Sequence, residues 1–200
     1  MKGMKIIGVI GLNGSGKDEV VKYLEQKYGI PLISVGDVVR EVAAAQGIEP
    51  TRDNLDRIVQ SYFDKYGAGY FVKQVVEKIR DNRWPQAGIS GIRSPVDIGI
   101  VREAFGTGFT LINVYVSSAR LRYERVRRRG SRRDDITYAD FLRQDAKSEK
   151  LFQIREAVAM ADYSLANDGT LAELQEQIDR LVAAGLLADA GAANGGPETG

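Results

Sequence analysis

The chain contains 200 residues, of which 44% are apolar and 28% are charged, and its formal net charge is +1. This length suffices for one sizeable core, so a single domain is expected, and a charge near zero argues against a surface built throughout for nucleic acid or membranes. Cysteine and histidine do not occur, which excludes thiol chemistry, disulfides and the usual zinc ligands.

Apolar runs of strand length alternate along the chain with segments of helical periodicity. The predicted strands are Lys5–Ile10, Pro31–Ser34, Gly88–Gly91, Thr110–Val116 and Tyr163–Ala166. The predicted helices are Lys17–Tyr28, Asp37–Gln46, Arg52–Tyr66, Tyr70–Asn82, Val96–Ala104, Ala119–Arg129, Tyr138–Lys150, Phe152–Ala161 and Leu171–Ala184. This alternation predicts an α/β fold of three layers, in which helices flank a parallel five-stranded sheet. Ligands of such sheets bind at the carboxyl ends of the strands, so the segments that follow the strands are searched for functional residues.

The first predicted strand leads into a glycine-rich loop, GLNGSGKD, and then into a helix. The loop matches G-x-x-x-x-G-K-[ST] except at its last place, where Asp18 replaces the hydroxyl residue that normally contacts Mg²⁺. In this context backbone N–H groups and the positive end of the helix cradle phosphates, and Lys17 reaches the β- and γ-phosphates. The predicted nucleotide-binding residues are Gly11, Asn13, Gly14, Ser15, Gly16, Lys17 and Asp18. A glycine turn with a purely structural role is the alternative.

The second predicted strand is followed by Ser34, Gly36, Asp37 and Arg40. We expect Asp37 to cap the helix that begins there and Arg40 to project one turn later from the same face. The spacing resembles the S-T-G-D-x-x-R stretch of nucleoside monophosphate kinases of the adenylate kinase type. This resemblance implies that the four residues form an acceptor site and that Arg40 grips the acceptor's phosphate. The alternative is a capped helix that carries a surface arginine.

The third predicted strand ends in Ser90-Gly91, and Arg93 and Pro95 follow. Pro95 turns the chain out of the strand and should hold Arg93 at the rim of the sheet. In the kinases that the chain resembles, the matching arginine binds the acceptor phosphate, and an aspartate of the metal site stands where this chain has Ser90. Asp18 and Ser90 could therefore exchange roles and keep one carboxylate and one hydroxyl near Mg²⁺. Alternatively, Asp18 only caps its helix and water completes the metal's coordination.

Arginine is concentrated between positions 120 and 133, at Arg120, Arg122, Arg125, Arg127, Arg128, Arg129, Arg132 and Arg133. Monophosphate kinases carry their lid at the corresponding place, here about residues 125–138. Lid arginines stabilise the charge on the transferred phosphoryl group, and Arg129 and Arg132 are the catalytic candidates. Asp134 and Asp135 are expected to restrain the lid arginines in the empty site. A solvated helix face and a nucleic-acid patch are the alternatives, and the near-zero net charge disfavours the latter.

Two further assignments depend on the resemblance. The helix after the lid contributes a phosphate-gripping arginine in related kinases, and Arg143 is the candidate here. The turn after the last strand often contacts the donor base through its backbone, which implies a role for Asn167 and Gly169. A solvated arginine and a turn closed by the helix cap Thr170 explain these residues equally well.

The combination of G-D-V-V-R-E, G-I-R-S-P and A-D-Y before an N-D-G turn resembles a small, mostly archaeal family of adenylate-kinase-related P-loop proteins, sometimes labelled dephospho-CoA kinase-like. The likeness spans about residues 4–182, with Ser90 as the chief mismatch. It implies a P-loop kinase domain over residues 1–184, with an acceptor-binding insertion at about 37–83. The small, glycine-rich residues 185–200 are predicted to be a disordered tail.

We therefore predict transfer of the γ-phosphoryl group of ATP, with Mg²⁺, to AMP or another (d)NMP. A monophosphate is already anionic and needs arginine clamps but no general base. The alternatives are phosphorylation of a hydroxyl acceptor, with Asp37 as the base, and a nucleotide-binding switch or RNA-associated ATPase. The acceptor base could stack on Tyr62, Tyr66, Tyr70 or Phe71.

The predicted partners are small-molecule nucleotides, with no membrane and with nucleic acid disfavoured, and the chain is expected to be a monomer or a homodimer. No apolar segment approaches the ~20 residues of a membrane span, and the first residues lack the long apolar core of a signal peptide, so a cytoplasmic location is predicted.

Overall fold

A computed structural model of the protein describes residues 4–130 and 136–188. Its strands form one sheet, in which each neighbouring pair is parallel and the spatial order is β2-β3-β1-β4-β5. The strands are β1 (Lys5–Ile10), β2 (Leu32–Ser34), β3 (Gln86–Ser90), β4 (Phe109–Tyr115) and β5 (Tyr163–Ala166). The predicted parallel five-stranded sheet is thus confirmed.

Helices connect the strands and flank the sheet. They are α1 (Lys17–Tyr28), α2 (Val35–Ala45), α3 (Arg52–Tyr66), α4 (Tyr70–Asp81), α5 (Pro95–Phe105), α6 (Ala119–Arg128), α7 (Tyr138–Phe152), α8 (Ile154–Ala159) and α9 (Leu171–Ala183). The predicted helices agree with these to within a few residues. None of the helices in the described ranges is long and apolar enough to cross a membrane.

The central strand β1 shows why the fold has three layers. Ile6 and Ile10 point to one face of the sheet and join a buried cluster formed mainly with α2, α3, α4 and α5. Ile7 and Val9 point to the other face and join a cluster with α1 and α9. Because successive side chains of a strand alternate between faces, a strand that is apolar throughout must be covered on both sides.

The folded chain continues past the predicted end of the domain at residue 184. Leu186 is 6% exposed and belongs to the cluster of α1 and α9. The prediction of a disordered tail from residue 185 is therefore wrong for the segment around Leu186, because this side chain has an apolar surface to cover. Residues 189–200 of the predicted tail lie outside the described residues.

A small third cluster forms the base of the region predicted to be a lid. Tyr123 and Val126 of α6 pack against Phe141 of α7, and all three are buried. The packing fixes α6 and α7 against each other beside the carboxyl end of the sheet. The predicted lid residues Arg132, Arg133, Asp134 and Asp135 lie outside the described residues.

Candidate phosphate and acceptor site

The glycine loop between β1 and α1 is shaped by close contacts with two other segments. Gly14 and Gly16 have φ values of 81° and 95°, which L side chains rarely adopt. A Cβ atom at Gly14 would collide with the backbone carbonyl of Arg122, and one at Gly16 would collide with the side-chain amide of Asn167. Both positions thus require glycine for conformation and for space.

Hydrogen bonds from α6 and from the turn after β5 hold this loop in place. Arg122 donates to the carbonyl of Asn13 at 2.9 Å, and Asn167 Nδ2 donates to the carbonyl of Ser15 at 2.8 Å. Arg125 in turn donates to the carbonyl of Asn167 at 2.6 Å and to that of Gly169 at 3.3 Å. The backbone of Asn167 and Gly169 was predicted to contact a donor base. In the structure the carbonyls of both residues accept hydrogen bonds from Arg125.

Arg122 also forms a buried ion pair. Its other terminal nitrogen lies 2.6 Å from a carboxylate oxygen of Asp145 on α7, and the two side chains are 7% and 19% exposed. The guanidinium stands 5.2 Å from the ring centroid of Phe141. This arginine of the charged 120–133 stretch is thus part of the support of the loop rather than of a moving lid.

Two polar groups of the loop are buried without hydrogen-bond partners in the part of the chain that the structure describes. They are Ser15 Oγ and Asn13 Nδ2. Buried donors and acceptors normally find partners, and an orphan in a phosphate-binding loop fits an anionic ligand that supplies one. This supports the predicted assignment of both residues to a nucleotide site.

Lys17 lies at the start of α1 with 15% of its side chain exposed. Burial lowers the pKa of Lys17, and the nearby positive charges of Arg93, Arg129 and Arg52 lower it further, while Asp18 acts in the opposite direction. The Lys17 ammonium lies 3.8 Å from a carboxylate oxygen of Asp18. A concentration of positive charge around a partly desolvated lysine is the electrostatic setting of an anion site.

A cavity of about 410 Å³ opens beside Lys17 at the carboxyl end of the sheet. It brings together, of the predicted site residues, Asn13, Lys17, Asp18, Ser34, Gly36, Asp37, Arg40, Ser90, Arg93 and Arg129. The apolar part of its wall includes Leu55, Val59, Phe63, Phe71, Val72 and Phe152. The cavity wall therefore combines several cationic side chains with apolar ones.

Arg93 is fixed between β3 and α5, as predicted from Pro95. The carboxylate of Asp97 accepts hydrogen bonds from the backbone N–H groups of Arg93 and Ser94 at 3.1 and 3.0 Å. The Arg93 guanidinium lies over the ring of Phe152, 5.2 Å from its centroid. Burial, followed by the charge of Arg52, lowers the pKa of Arg93, and both arginines line the same cavity.

The prediction that Asp37 caps a helix is wrong. Helix α2 begins two residues earlier, at Val35, with Ser34 at the capping position. Asp37 lies in the first turn instead and pairs with Arg40, whose Nε is 3.1 Å from a carboxylate oxygen of Asp37. The side chains of Asp37 and Arg40 are 62% and 40% exposed, and both line the cavity.

Arg52, the first residue of α3, lines the cavity and was missed by the sequence analysis. Its Nη1 donates to the side-chain carbonyl of Gln144 on α7 at 2.7 Å. Beside this contact, Lys147 of α7 bridges Asp53 and Asp56 of α3, each at 3.1 Å. A signal was present in the sequence, because an arginine at position 52 shares a helix face with the apolar residues at 55, 59 and 63.

Several residues that were predicted to bind the acceptor do not line the cavity. Arg143 is 72% exposed, pairs with Asp140 of its own helix and is not part of the cavity wall. Tyr62, Tyr66 and Tyr70 pack against one another, with ring centroids 4.8 to 5.4 Å apart, and do not line the cavity, although Phe71 does. These tyrosines contact one another between α3 and α4, so they serve the packing of the two helices rather than the cavity.

Asp18 and Ser90 are the described residues that fit the predicted Mg²⁺ site. Both line the cavity, Ser90 being 6% exposed and the Asp18 side chain 48%. Residues 4–130 and 136–188 contain no group of three carboxylates that would form a metal cage. Mg²⁺ is usually held by one or two carboxylates together with water and substrate phosphates, so a single carboxylate beside a phosphate loop is chemically sufficient.

The loop, the sheet and the cavity define a P-loop domain with a kinase-like fold. Solved structures with this fold include TT1252 of Thermus thermophilus, with a TM-score of 0.61 and 17% identity over 92% of this chain and 98% of that one. A gluconokinase of Sinorhizobium meliloti 1021 gives a TM-score of 0.55 with 18% identity, over 92% of this chain and 95% of that one. A shikimate kinase of Acinetobacter baumannii, solved with shikimate, gives 0.54 with 18% identity over the same shares.

The sequence comparisons define the family more narrowly. Residues 10–141 match the model of a family described as an AAA domain. The chain is 35% identical over 179 residues to a UPF0200 protein of Thermococcus onnurineus, which covers 88% of this chain and 96% of the relative. It is 36% identical over 179 residues to a UPF0200 protein of Pyrococcus horikoshii, covering 88% and 95%. The chain therefore belongs to the UPF0200 family, whose relatives named here are archaeal, as the sequence motifs indicated.

Proposed function

We propose that the protein transfers the γ-phosphoryl group of ATP to a nucleoside monophosphate, AMP or another (d)NMP. One observation carries this proposal: a single cavity beside the P-loop is lined both by four arginines and by apolar side chains. A nucleoside monophosphate has the same two parts, a dianionic phosphate and a flat, largely apolar base. Arginines that grip phosphate and apolar side chains that cover a base are the recognition chemistry expected for it.

The roles of the residues follow from their places. The loop backbone, Ser15 and Lys17 would hold the donor phosphates, and Arg40 and Arg93 the acceptor phosphate. Arg129 at the end of α6 lines the cavity and would stabilise charge on the transferred phosphoryl group. Arg132, the other catalytic candidate, keeps this role as a prediction from the sequence.

The attacking phosphate oxygen carries its own negative charge, so this chain needs to supply position and positive charge rather than a base. Mg²⁺, when bound through Asp18 and Ser90, would neutralise part of the charge on the donor phosphates. The lowered pKa of Lys17 is compatible with phosphate binding, because bound phosphates favour the charged lysine.

Phosphorylation of a hydroxyl acceptor is the second candidate, and the position of Asp37 favours it. Asp37 lines the cavity and could accept the proton of a hydroxyl group. Its pairing with Arg40 argues in the other direction, because a carboxylate oxygen of Asp37 already accepts a hydrogen bond from the guanidinium.

The test is ADP formation from ATP and Mg²⁺ with a panel of acceptors: the common NMPs, their deoxy forms and dephospho-CoA. Lys17→Ala serves as the control for contaminating activity. The proposal predicts one preferred monophosphate, whose turnover is lost in Lys17→Ala and falls in Arg40→Ala and Arg93→Ala.

Each other result points to an alternative. Activity on dephospho-CoA alone, abolished in Asp37→Asn, would establish the hydroxyl acceptor. ATP binding without any acceptor-stimulated turnover would leave a nucleotide-binding switch. Salt-sensitive RNA binding that stimulates ATP hydrolysis would indicate an RNA-associated ATPase.

A further inference from the structure

The face of helix α3 that lines the cavity begins with a charged residue and becomes apolar farther along the helix. Arg52, Leu55, Asp56, Val59 and Phe63 all line the cavity wall. They are spaced so that they share one side of the helix, and the distance from Arg52 to Val59 is about 10 Å along the axis at 1.5 Å per residue. A ligand that lies along α3 therefore meets a cation at the start of the helix and apolar side chains farther on.

Within the part of the chain that the structure describes, the positive charge of Arg52 has no direct carboxylate partner. Among residues 4–130 and 136–188, no carboxylate lies within 4 Å of its guanidinium. Asp56, one turn along the helix, pairs with Lys147 at 3.1 Å. The charge of Arg52 nevertheless acts on both Lys17 and Arg93, lowering the pKa of each, so it adds to an accumulation of like charge.

Gln144 holds Arg52 in this position. Its side-chain carbonyl accepts a hydrogen bond from Arg52 Nη1 at 2.7 Å. An amide oxygen fixes the guanidinium in space without cancelling its charge, whereas a carboxylate at the same place would do both. Arginines that are held in place but lack a countercharge are suited to bind the anionic group of a ligand.

We propose that Arg52 binds the anionic group of the acceptor together with Arg93, and that Gln144 is the positioning residue that keeps Arg52 both fixed and charged. The inference deepens the proposed function, on which it rests for the class of acceptor. It implies selection for the phosphorylated form of a nucleoside over the nucleoside itself, because the apolar face of α3 accepts the base of either.

The experiment measures equilibrium binding to the full chain of AMP, CMP, GMP and UMP and of the corresponding nucleosides. The variants are Arg52→Met, Gln144→Glu and, as the matched control, Arg57→Met. Arg57 belongs to the same helix but is exposed and not part of the cavity wall. Unfolding midpoints are recorded for every variant so that a general loss of structure is recognised.

The preferred monophosphate should bind Arg52→Met about 10- to 100-fold more weakly, the usual loss of a hydrogen bond to a charged group, while nucleoside binding stays unchanged. Gln144→Glu keeps the shape and the contact but neutralises Arg52, so it should also weaken monophosphate binding without lowering the unfolding midpoint. Arg57→Met should bind like the wild-type protein. A merely structural role of Gln144 would leave monophosphate binding unchanged in Gln144→Glu.

The inference is overturned if no monophosphate binds more tightly than its nucleoside, or if Arg52→Met weakens both forms equally. Its failure is separable from that of the proposed function. Arg52-dependent binding without phosphoryl transfer would reject the function and keep the site, whereas NMP turnover that is unaffected in Arg52→Met would keep the function and reject the site.

Discussion

Two neighbouring residues of α7 each hold an arginine, and the two arginines differ in what remains available to a ligand. Asp145 pairs with Arg122 at 2.6 Å, and the other terminal nitrogen of Arg122 donates a hydrogen bond to the carbonyl of Asn13 in the P-loop. Gln144 holds Arg52 at 2.7 Å through a neutral amide, at the wall of the cavity. The first arginine is fully engaged by the protein, and the second keeps its charge for another partner.

The difference follows from the cost of burying charge. A buried guanidinium is tolerated when a carboxylate and a carbonyl replace its hydration, and the resulting contact then supports the fold. A guanidinium that faces a cavity without a countercharge gains more from a bound anion than one that already has a partner. For Arg122 and Arg52, the partner of the arginine, rather than its presence in a charged stretch, thus separates support of the fold from the proposed binding of a ligand.

The largest effect is expected at the end of α6, where one arginine lines the cavity and a nearby arginine does not. Arg129, the residue that follows α6, lines the cavity, whereas Arg127 is not part of the cavity wall and lies 6.0 Å from the ring centroid of Tyr123. Arg129→Ala should lower kcat about 10²- to 10³-fold, the usual cost of removing a group that stabilises transition-state charge. Arg127→Ala is the matched control and should leave turnover unchanged in the same steady-state assay. Equal effects of the two substitutions would contradict the distinction.

Removal of Arg122, which supports the P-loop, should lower the free energy of unfolding. Arg122→Met leaves the part-buried Asp145 without its countercharge, and we expect a loss of about 3 kcal/mol in the free energy of unfolding, measured with denaturant. The double variant Arg122→Met/Asp145→Leu should recover most of that stability, because both charges are then absent. ATP binding should remain weakened in both, since neither restores the hydrogen bond to Asn13. A stable single variant would mean that the ion pair contributes little.

The metal assignment can be tested by exchanging the two side chains. Asp18→Ser should raise the Mg²⁺ concentration needed for half-maximal turnover by about tenfold, in the range for altered metal surroundings. The reciprocal variant Asp18→Ser/Ser90→Asp should regain part of the metal affinity, because it again provides one carboxylate and one hydroxyl. Unchanged Mg²⁺ dependence in Asp18→Ser would leave Asp18 with no more than a role at the start of α1.

The smallest effect concerns the other contact that holds the P-loop. Asn167→Ala removes the donor to the carbonyl of Ser15, which costs about 1 kcal/mol, or about fivefold in affinity. We expect this loss in the dissociation constant of ATP, measured by calorimetry, and not in that of the acceptor. If acceptor binding weakened as much as ATP binding, the effect would have spread beyond the loop.

Much of this arrangement was predictable from local pattern. The apolar alternation of strands and helices predicted the sheet, and the glycine-rich sequence with Lys17 predicted the P-loop beside the cavity. Arg93 was predictable because Pro95 fixes where the chain leaves β3. Arg52 shows the limit, because the contact of α3 with α7 depends on Gln144, which is distant in the sequence.

The amino-acid order alone determined the class of fold and the presence of a phosphate loop, because periodicity and glycine spacing are properties of short segments. Tertiary structure decided which arginines serve the fold and which face the cavity. That choice depends on partners brought from far along the chain, such as Asp145 for Arg122 and Gln144 for Arg52. A guanidinium has the same charge everywhere in a sequence, and its function is set by whether folding gives it a carboxylate, a carbonyl or an open cavity.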